Sequence, residues 1–326
     1  MRPFRGDPQS PFLAPRGVAS DGRVLVVADT GQNRVFIWQT MPAGETAPAD
    51  AVLGQHDPLA TERNGGGAAG RGTLHYPSGV WTDGRRLAVA DAWNHRVLLW
   101  HDLPRSCGAP ADVVLGQPDG ASARPNRVGV GGPAAPDRLY WPYGVCGDGD
   151  ALWVADTGNR RVLRWDAWPM RDGAPADGVV GQPTLEARDY DLAGTCWPYA
   201  ARPTPSGGLL VTDVGGFRVL AWRDTTAALA GAPPSVVLGQ PTLDANLQNR
   251  GALRPSASSL NWCYDAVALP DGAILVADTG NCRLLGWSSL PAASGAEATR
   301  LYGQPHFEAI GEVAHPDLVP DGAYWP

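Results

Sequence analysis

An arginine, three tyrosines and an aspartate share one register of this chain, and their types suit a site that fixes an anion and moves a proton. The register is a strand opening of the form Pro-x-Gly-Val, met as Pro15-Arg16-Gly17-Val18, Pro77-Ser78-Gly79-Val80 and Pro142-Tyr143-Gly144-Val145. It returns with departures as Pro198-Tyr199-Ala200 and Cys263-Tyr264-Asp265. Arg16 offers a planar cation for a carboxylate, and Tyr143, Tyr199 and Tyr264 offer phenols for acid/base work. Asp265 stands where other copies have glycine, and Ser78 adds a hydroxyl. Just before the Pro column stand Tyr76, Trp141, Trp197 and Trp262, with Trp325 near the C-terminus as the fifth. One residue earlier stand His75, Tyr140, Cys196, Asn261 and Tyr324. Thiolates of Cys196 and Cys263 with the imidazole of His75 would suit one zinc or copper ion, although no local ligand motif supports the set. Each group has a plainer reading. The indoles can plug a channel mouth, and the two cysteines can be small buried apolar groups.

The elements that must position these residues repeat five times. An apolar run ends in Asp, a Gly/Asn turn leads to Arg, a second apolar run ends in Trp, and a Gly-Gln follows. The copies read VLVVADTGQNRVFIW, LAVADAWNHRVLLW, LWVADTGNRRVLRW, LLVTDVGGFRVLAW and ILVADTGNCRLLGW. Asp29, Asp91, Asp156, Asp213 and Asp278 lie 62, 65, 57 and 65 residues apart, with Arg always five and Trp nine residues later. A period of this size built from short strands predicts a β-propeller.

Each repeat accommodates four short antiparallel strands: the opening strand, the run into Asp, the run from Arg to Trp, and a last strand into Gly-Gln. Val35 and Ile37 point to one side of their strand and Phe36 and Trp38 to the other, so both faces must be covered, as a blade is by its neighbours. No segment carries a sustained 3.6-residue apolar period. The expected fold is all-β, a single five-bladed propeller over 1–326, with blades at about 15–76, 77–141, 142–197, 198–262 and 263–305. The segment Ala323-Tyr324-Trp325-Pro326 matches Leu139-Tyr140-Trp141-Pro142, so residues 306–326 are expected to form a closing tail. The alternative is six blades, which would need the termini to supply one between them.

These residues resemble the NHL repeat family, whose hallmark is a P-x-G-V strand followed by VAD-x-G-N-x-R. The added VLGQP resembles the long-repeat NHL propellers of bacteria. The resemblance runs from about Pro15 to Gln304. It implies a propeller whose ligand site lies at an axial mouth. It also implies lyase-like or metal-dependent enzymes as one outcome: peptidylglycine amidating lyases hold zinc near the axis with Arg and Tyr as partners, and streptogramin-inactivating lyases use a metal at the mouth. Arg16, Tyr143, Tyr199 and Tyr264 would stand in a comparable place. The chain departs from those enzymes in having only His75 as a histidine of the opening register.

Composition narrows the partners. There is no lysine, all 26 basic residues being Arg, and the formal net charge is −7. The missing lysine removes a Walker A phosphate grip, a Schiff base and a Ser-Lys dyad, and no nucleotide cofactor is expected. An acidic chain without clustered Lys/Arg is also not expected to track nucleic acid. No apolar run of membrane-spanning length occurs, the N-terminus lacks an apolar leader core, and no membrane association is expected. Five cysteines without a leader point to reduced thiols and a cytoplasmic location. The Ala, Gly, Arg and Pro bias suggests a GC-rich bacterial genome.

Most repeated residues are expected to serve blade geometry: Asp to accept turn N–H groups and pair with Arg, and Trp to pack between blades. His95 and Cys282 fill variable turn positions and are expected at a surface loop tip. The run from Asn64 to Gly70 is read as a flexible connection, since it opens no helix and lacks the lysine of a phosphate loop. Two functions remain. One is binding of a small molecule or peptide at the axis, with Arg16 fixing a carboxylate, a Tyr acting as acid/base and metal-assisted catalysis as its enzymatic form. The other is a non-catalytic scaffold for a protein partner on the long inter-blade loops 56–76, 118–141, 183–197 and 241–262.

Overall fold

A computed structural model describes residues 12–44 and 47–311. Among the described residues twenty strands form five four-stranded sheets, each an antiparallel blade of a five-bladed β-propeller. The first blade holds β1 (Gly17–Ser20), β2 (Leu25–Asp29), β3 (Arg34–Trp38) and β4 (Ala51–Leu53). The second holds β5 (Pro77–Thr82), β6 (Leu87–Asp91), β7 (Arg96–Trp100) and β8 (Val113–Leu115). The third holds β9 (Pro142–Asp148), β10 (Ala151–Asp156), β11 (Arg161–Trp165) and β12 (Gly178–Val180). The fourth holds β13 (Pro198–Pro203), β14 (Leu209–Asp213), β15 (Arg218–Trp222) and β16 (Val236–Leu238). The fifth holds β17 (Cys263–Ala268), β18 (Ile274–Asp278), β19 (Arg283–Trp287) and β20 (Arg300–Tyr302). Strands pair in sequence order within every sheet. Among the described residues one α-helix, α1 (Thr225–Leu229), follows β15, capped by the Asp224 carboxylate on the Thr226 N–H.

By contact the chain divides into two compact units. One carries the chain up to Asn159 together with Leu163–Gly178, and the other carries Arg160–Val162 and the chain from Val179. The core of the first unit includes Val26, Val35, Ile37, Leu53, Val89, Leu98 and Trp100, all buried. That of the second includes Leu210, Val219, Leu238, Val276, Leu285 and Trp287. Most are alternating residues of central strands whose two faces are both covered, with Leu53 and Leu238 added from the edge strands β4 and β16.

The Asp and Arg columns explain themselves. Asp29 faces Arg34 across the turn between β2 and β3, and the same register joins Asp91 to Arg96, Asp213 to Arg218 and Asp278 to Arg283. In these four pairs Arg Nε donates to the Asp Oδ2 at 2.6–2.9 Å with both side chains fully buried. In all five blades, Asp156 included, the other carboxylate oxygen accepts the backbone N–H of a residue just before the opening strand of its own blade: Leu13, His75, Tyr140, Cys196 with Trp197, and Asn261. The guanidinium also donates to loop carbonyls, as Arg96 does to Gly70, Thr73 and Gly120. Taking two charges out of water is costly, and that cost is offset only because nearly every donor and lone pair is used. Burial still pushes the Asp29 and Asp278 carboxyls up, against the pull of their arginines.

The Gln of each Gly-Gln works alike. Gln117 Nε2 donates to the carbonyls of His95 and Arg124, and Gln55, Gln182, Gln240 and Gln304 bridge the matching pair of loops in their own blades. Each blade-end Trp donates its indole N–H to an alanine carbonyl nine or ten residues on. Three blades add a reciprocal amide pair, Asn64 with Asn94, Asn126 with Asn159 and Asn249 with Asn281.

Two expectations are corrected here. The run from Asn64 to Gly70 is held in place: Asn64 sits in the left-handed region at φ 53° and pairs with Asn94, and its N–H bonds the Leu74 carbonyl. His95 and Cys282 are buried and not at a loop tip. Both close the turn between the second and third strands in left-handed conformation, and the His95 ring lies against Tyr140 and Trp141 at the opening of the third blade.

Candidate functional site

The strand openings are irregular in a way that aims side chains. In β9, β13 and β17 the pairing register shifts across Tyr143, Tyr199 and Tyr264, so each tyrosine is the extra residue of a bulge. In β5 the shift falls between Pro77 and Val80, across Ser78. A bulge leaves its extra residue off the ladder and re-aims its side chain, a device common beside sites. The residue before the opening is equally unusual. Tyr76, Trp141 and Trp262 lie at φ 48–56°. Left-handed backbone at a bulky residue costs free energy and persists where the surroundings over-determine it.

In the first unit these openings build one aromatic chain. The Arg16 guanidinium lies 5.6 Å from the Tyr76 ring centroid, and Tyr76 stacks on Trp93 at 4.7 Å with planes 19° apart. The Trp93 indole N–H points to the Tyr143 hydroxyl at 3.4 Å, and His75 packs edge-on against Trp93 at 5.2 Å. Ser78 is buried in β5. Beside this chain, Tyr140 and Trp141 rest on the buried His95 ring. His95 Nδ1 accepts the Trp141 backbone N–H at 3.2 Å. Burial, then the neighbouring His75, hold the His95 imidazole down at about 4. Burial also lowers His75.

The second unit carries its own group. Tyr199 and Tyr264 lie ring to ring at 4.7 Å. Asp265 receives a two-point contact from Arg202, Nε at 3.1 Å and Nη2 at 2.6 Å, so its carboxylate is already engaged. Trp197 and Trp262 are about 40% exposed at the rim (41% and 40%). Trp325 and the residues from 312 onward lie outside the described residues, so the expected closing tail beyond Gly311 does too.

The two thiols are engaged within the second unit. Cys196 packs against the Arg218 guanidinium at 3.8 Å, and burial followed by the Asp213 charge pushes its thiol up to about 11. Cys263 is wholly buried, directs its S–H to the Arg218 carbonyl at 3.3 Å, and is likewise pushed well up, by burial first. A metal needs thiolates, and both surroundings favour the neutral thiol. Among the described residues no three His, Cys, Asp or Glu side chains gather as a metal-holding group. Both sulfurs thus stand as neutral thiols, each in contact with Arg218.

Trp93 is the participant that the opening register does not contain. It stands in the turn column where the other blades have Gly31, Gly158, Gly215 and Gly280. Those glycines are tight: a Cβ on Gly158 would come within 2.6 Å of the Tyr140 carbonyl, and one on Gly31 within 2.6 Å of that of Leu13. Blade two accepts an indole there, 45% exposed, while keeping the matching hydrogen bond from Trp93 N to the His75 carbonyl. The one bulky residue in a glycine column was the available sequence signal.

No family model matches the chain, and no curated protein matches it. Among solved structures it is similar to a computationally designed protein, Ika8, at 9% identity and TM-score 0.43, over 91% of this chain and 63% of that one. It is similar to a nidogen/laminin complex chain at 12% identity and TM-score 0.46, over 92% and 86%. It is also similar to virginiamycin B lyase from Staphylococcus aureus at 10% identity and TM-score 0.43, over 83% of this chain and 66% of the lyase. The chain thus spans less than two thirds of the designed protein and of the lyase. No described helix is long and apolar enough to cross a membrane.

Proposed function

We propose that this chain is an NHL-type propeller that binds a small molecule or the carboxylate end of a peptide on the aromatic chain of its first unit. The observation that carries the reading is Trp93: an exposed indole in a glycine column, stacked on Tyr76 and directed at Tyr143. Exposed aromatic faces beside a guanidinium offer stacking for a flat or apolar group and a planar cation for a carboxylate. Structural filling alone would favour the glycine of the other four blades. Arg16 supplies the charge, Tyr76 and Trp93 the stacking surface, and the Tyr143 hydroxyl a polar contact. The test is titration of the full chain with short peptides bearing either a free or an amidated C-terminus, read by tryptophan fluorescence. The free carboxylate should bind more tightly, Trp93→Gly should abolish the quenching, and Arg16→Ala should erase the preference for the free acid. Equal quenching in wild type and Trp93→Gly would overturn the reading.

A further inference from the structure

The second unit contains a cleft of about 420 Å³ between the fourth and fifth blades, within the size range of small-molecule pockets. It lies at the turns joining β13 to β14 and β17 to β18, the blade end away from the strand openings. Its walls are mainly apolar, with Leu210, Trp222, Ile274 and Leu290 inside and Thr204 and Arg223 toward the rim.

The repeat shows why this crevice is open. Between the second and third blades the matching space is filled by the chain itself. The Trp168 indole enters it, tilted at 5.5 Å against Trp81 and lying under the Arg86 guanidinium at 4.7 Å, and its N–H donates to His101 Nδ1 at 3.2 Å. Counted from the Asp and Trp columns, the counterparts of Arg86, His101 and Trp168 are Gly208, Arg223 and Leu290. The fourth-to-fifth crevice thus lacks both the indole and the guanidinium that cover the other one. Between the first and second blades the counterparts are Val24 and Leu103, both packed into the core.

One of the three exchanges reverses polarity. His101 accepts a hydrogen bond from the resident indole, whereas Arg223 can only donate. Arg223 already gives one N–H to the Pro291 carbonyl at 2.6 Å and lines the cleft. A group seated where Trp168 sits would meet an apolar slot of indole size whose polar partner is a cation. We propose that this cleft binds a small aromatic carboxylate, its ring against Trp222 and Leu290 and its carboxylate on Arg223. The inference is independent of the aromatic chain on the first unit.

Isothermal titration of the full chain with indole-3-acetate and with indole tests it. Indole-3-acetate should bind about tenfold more tightly than indole, the usual scale for one charge-assisted hydrogen bond. Arg223→Gln, at an exposed position, should bring the two ligands to equal affinity. Leu290→Trp restores the side chain that the third blade uses and should abolish binding of both, with its melting curve recorded to show that it folds. Absence of binding, equal affinities for the two probes in wild type, or undiminished binding in a folded Leu290→Trp protein would overturn the proposal.

Discussion

His95 Nδ1 accepts the backbone N–H of Trp141, 3.2 Å away, and so ties the turn of the second blade to the opening of the third. The bond exists only while that nitrogen carries no proton. The ring is buried under Tyr140 and Trp141, and a proton on the neighbouring His75 would further disfavour its cationic form.

This relationship makes stability depend on pH. The His95 imidazole titrates at about 4 in the fold against 6.5 for an ordinary histidine, so between those values the unfolded chain binds the extra proton. The contribution is fully present above 6.5 and is lost as pH falls toward 4. It amounts to roughly 3 kcal/mol at most. His95→Gln should flatten that slope relative to wild type, measured as unfolding free energy by denaturant at a series of pH values. Parallel slopes would show that the imidazole is not held neutral.

Blade number, strand order and pairing register were legible because the Asp, Arg and Trp columns recur at fixed offsets, and those offsets are local consequences of a hairpin. Asp29 and Arg34, five residues apart, must face each other once the turn is tight. The positions of His95 and Cys282 were not legible in the same way. Their burial depends on the neighbouring loop folding over a left-handed turn residue, and no spacing within one repeat encodes that. Trp93 is hard to read from the sequence for a related reason: its indole meets Tyr76 and Tyr143 from the turn after the second strand, outside the opening register that holds those two tyrosines. The Tyr199 and Tyr264 column, by contrast, does bring its two rings together.

The Gly-Gln motif gives a second prediction. Gln117 Nε2 serves two carbonyls, of His95 and Arg124, and the side chain is fully buried. Removing the donor leaves carbonyls unpaired at roughly 1–3 kcal/mol each. Gln117→Met should therefore lower the unfolding free energy on that scale. Gln117→Glu should lower it more, because a carboxylate would face two carbonyl oxygens. If the two variants melt together with wild type, the amide is not bridging the loops.

The thiols give the third. Ellman's reagent reports thiolates that solvent can reach, and the five cysteines of this chain span both extremes. Cys107 is exposed, whereas Cys196 and Cys263 are buried with their thiols raised, the former to about 11. At pH 7.5 the native protein should show fast modification of Cys107. Cys196 and Cys263 should react only as fast as the chain opens, and all five should react at once in denaturant. The same experiment bears on the metal expectation from a direction independent of metal content. A thiol pair poised for zinc or copper would be held as thiolate and would react early at native conditions. Protection of Cys196 and Cys263 that persists at pH 9 is the expected outcome, because burial and the nearby Asp213 and Asp278 carboxylates all favour the neutral form. Rapid labelling of either in the folded state would show that the fourth and fifth strand openings are accessible, and would support those sulfurs as candidate ligands.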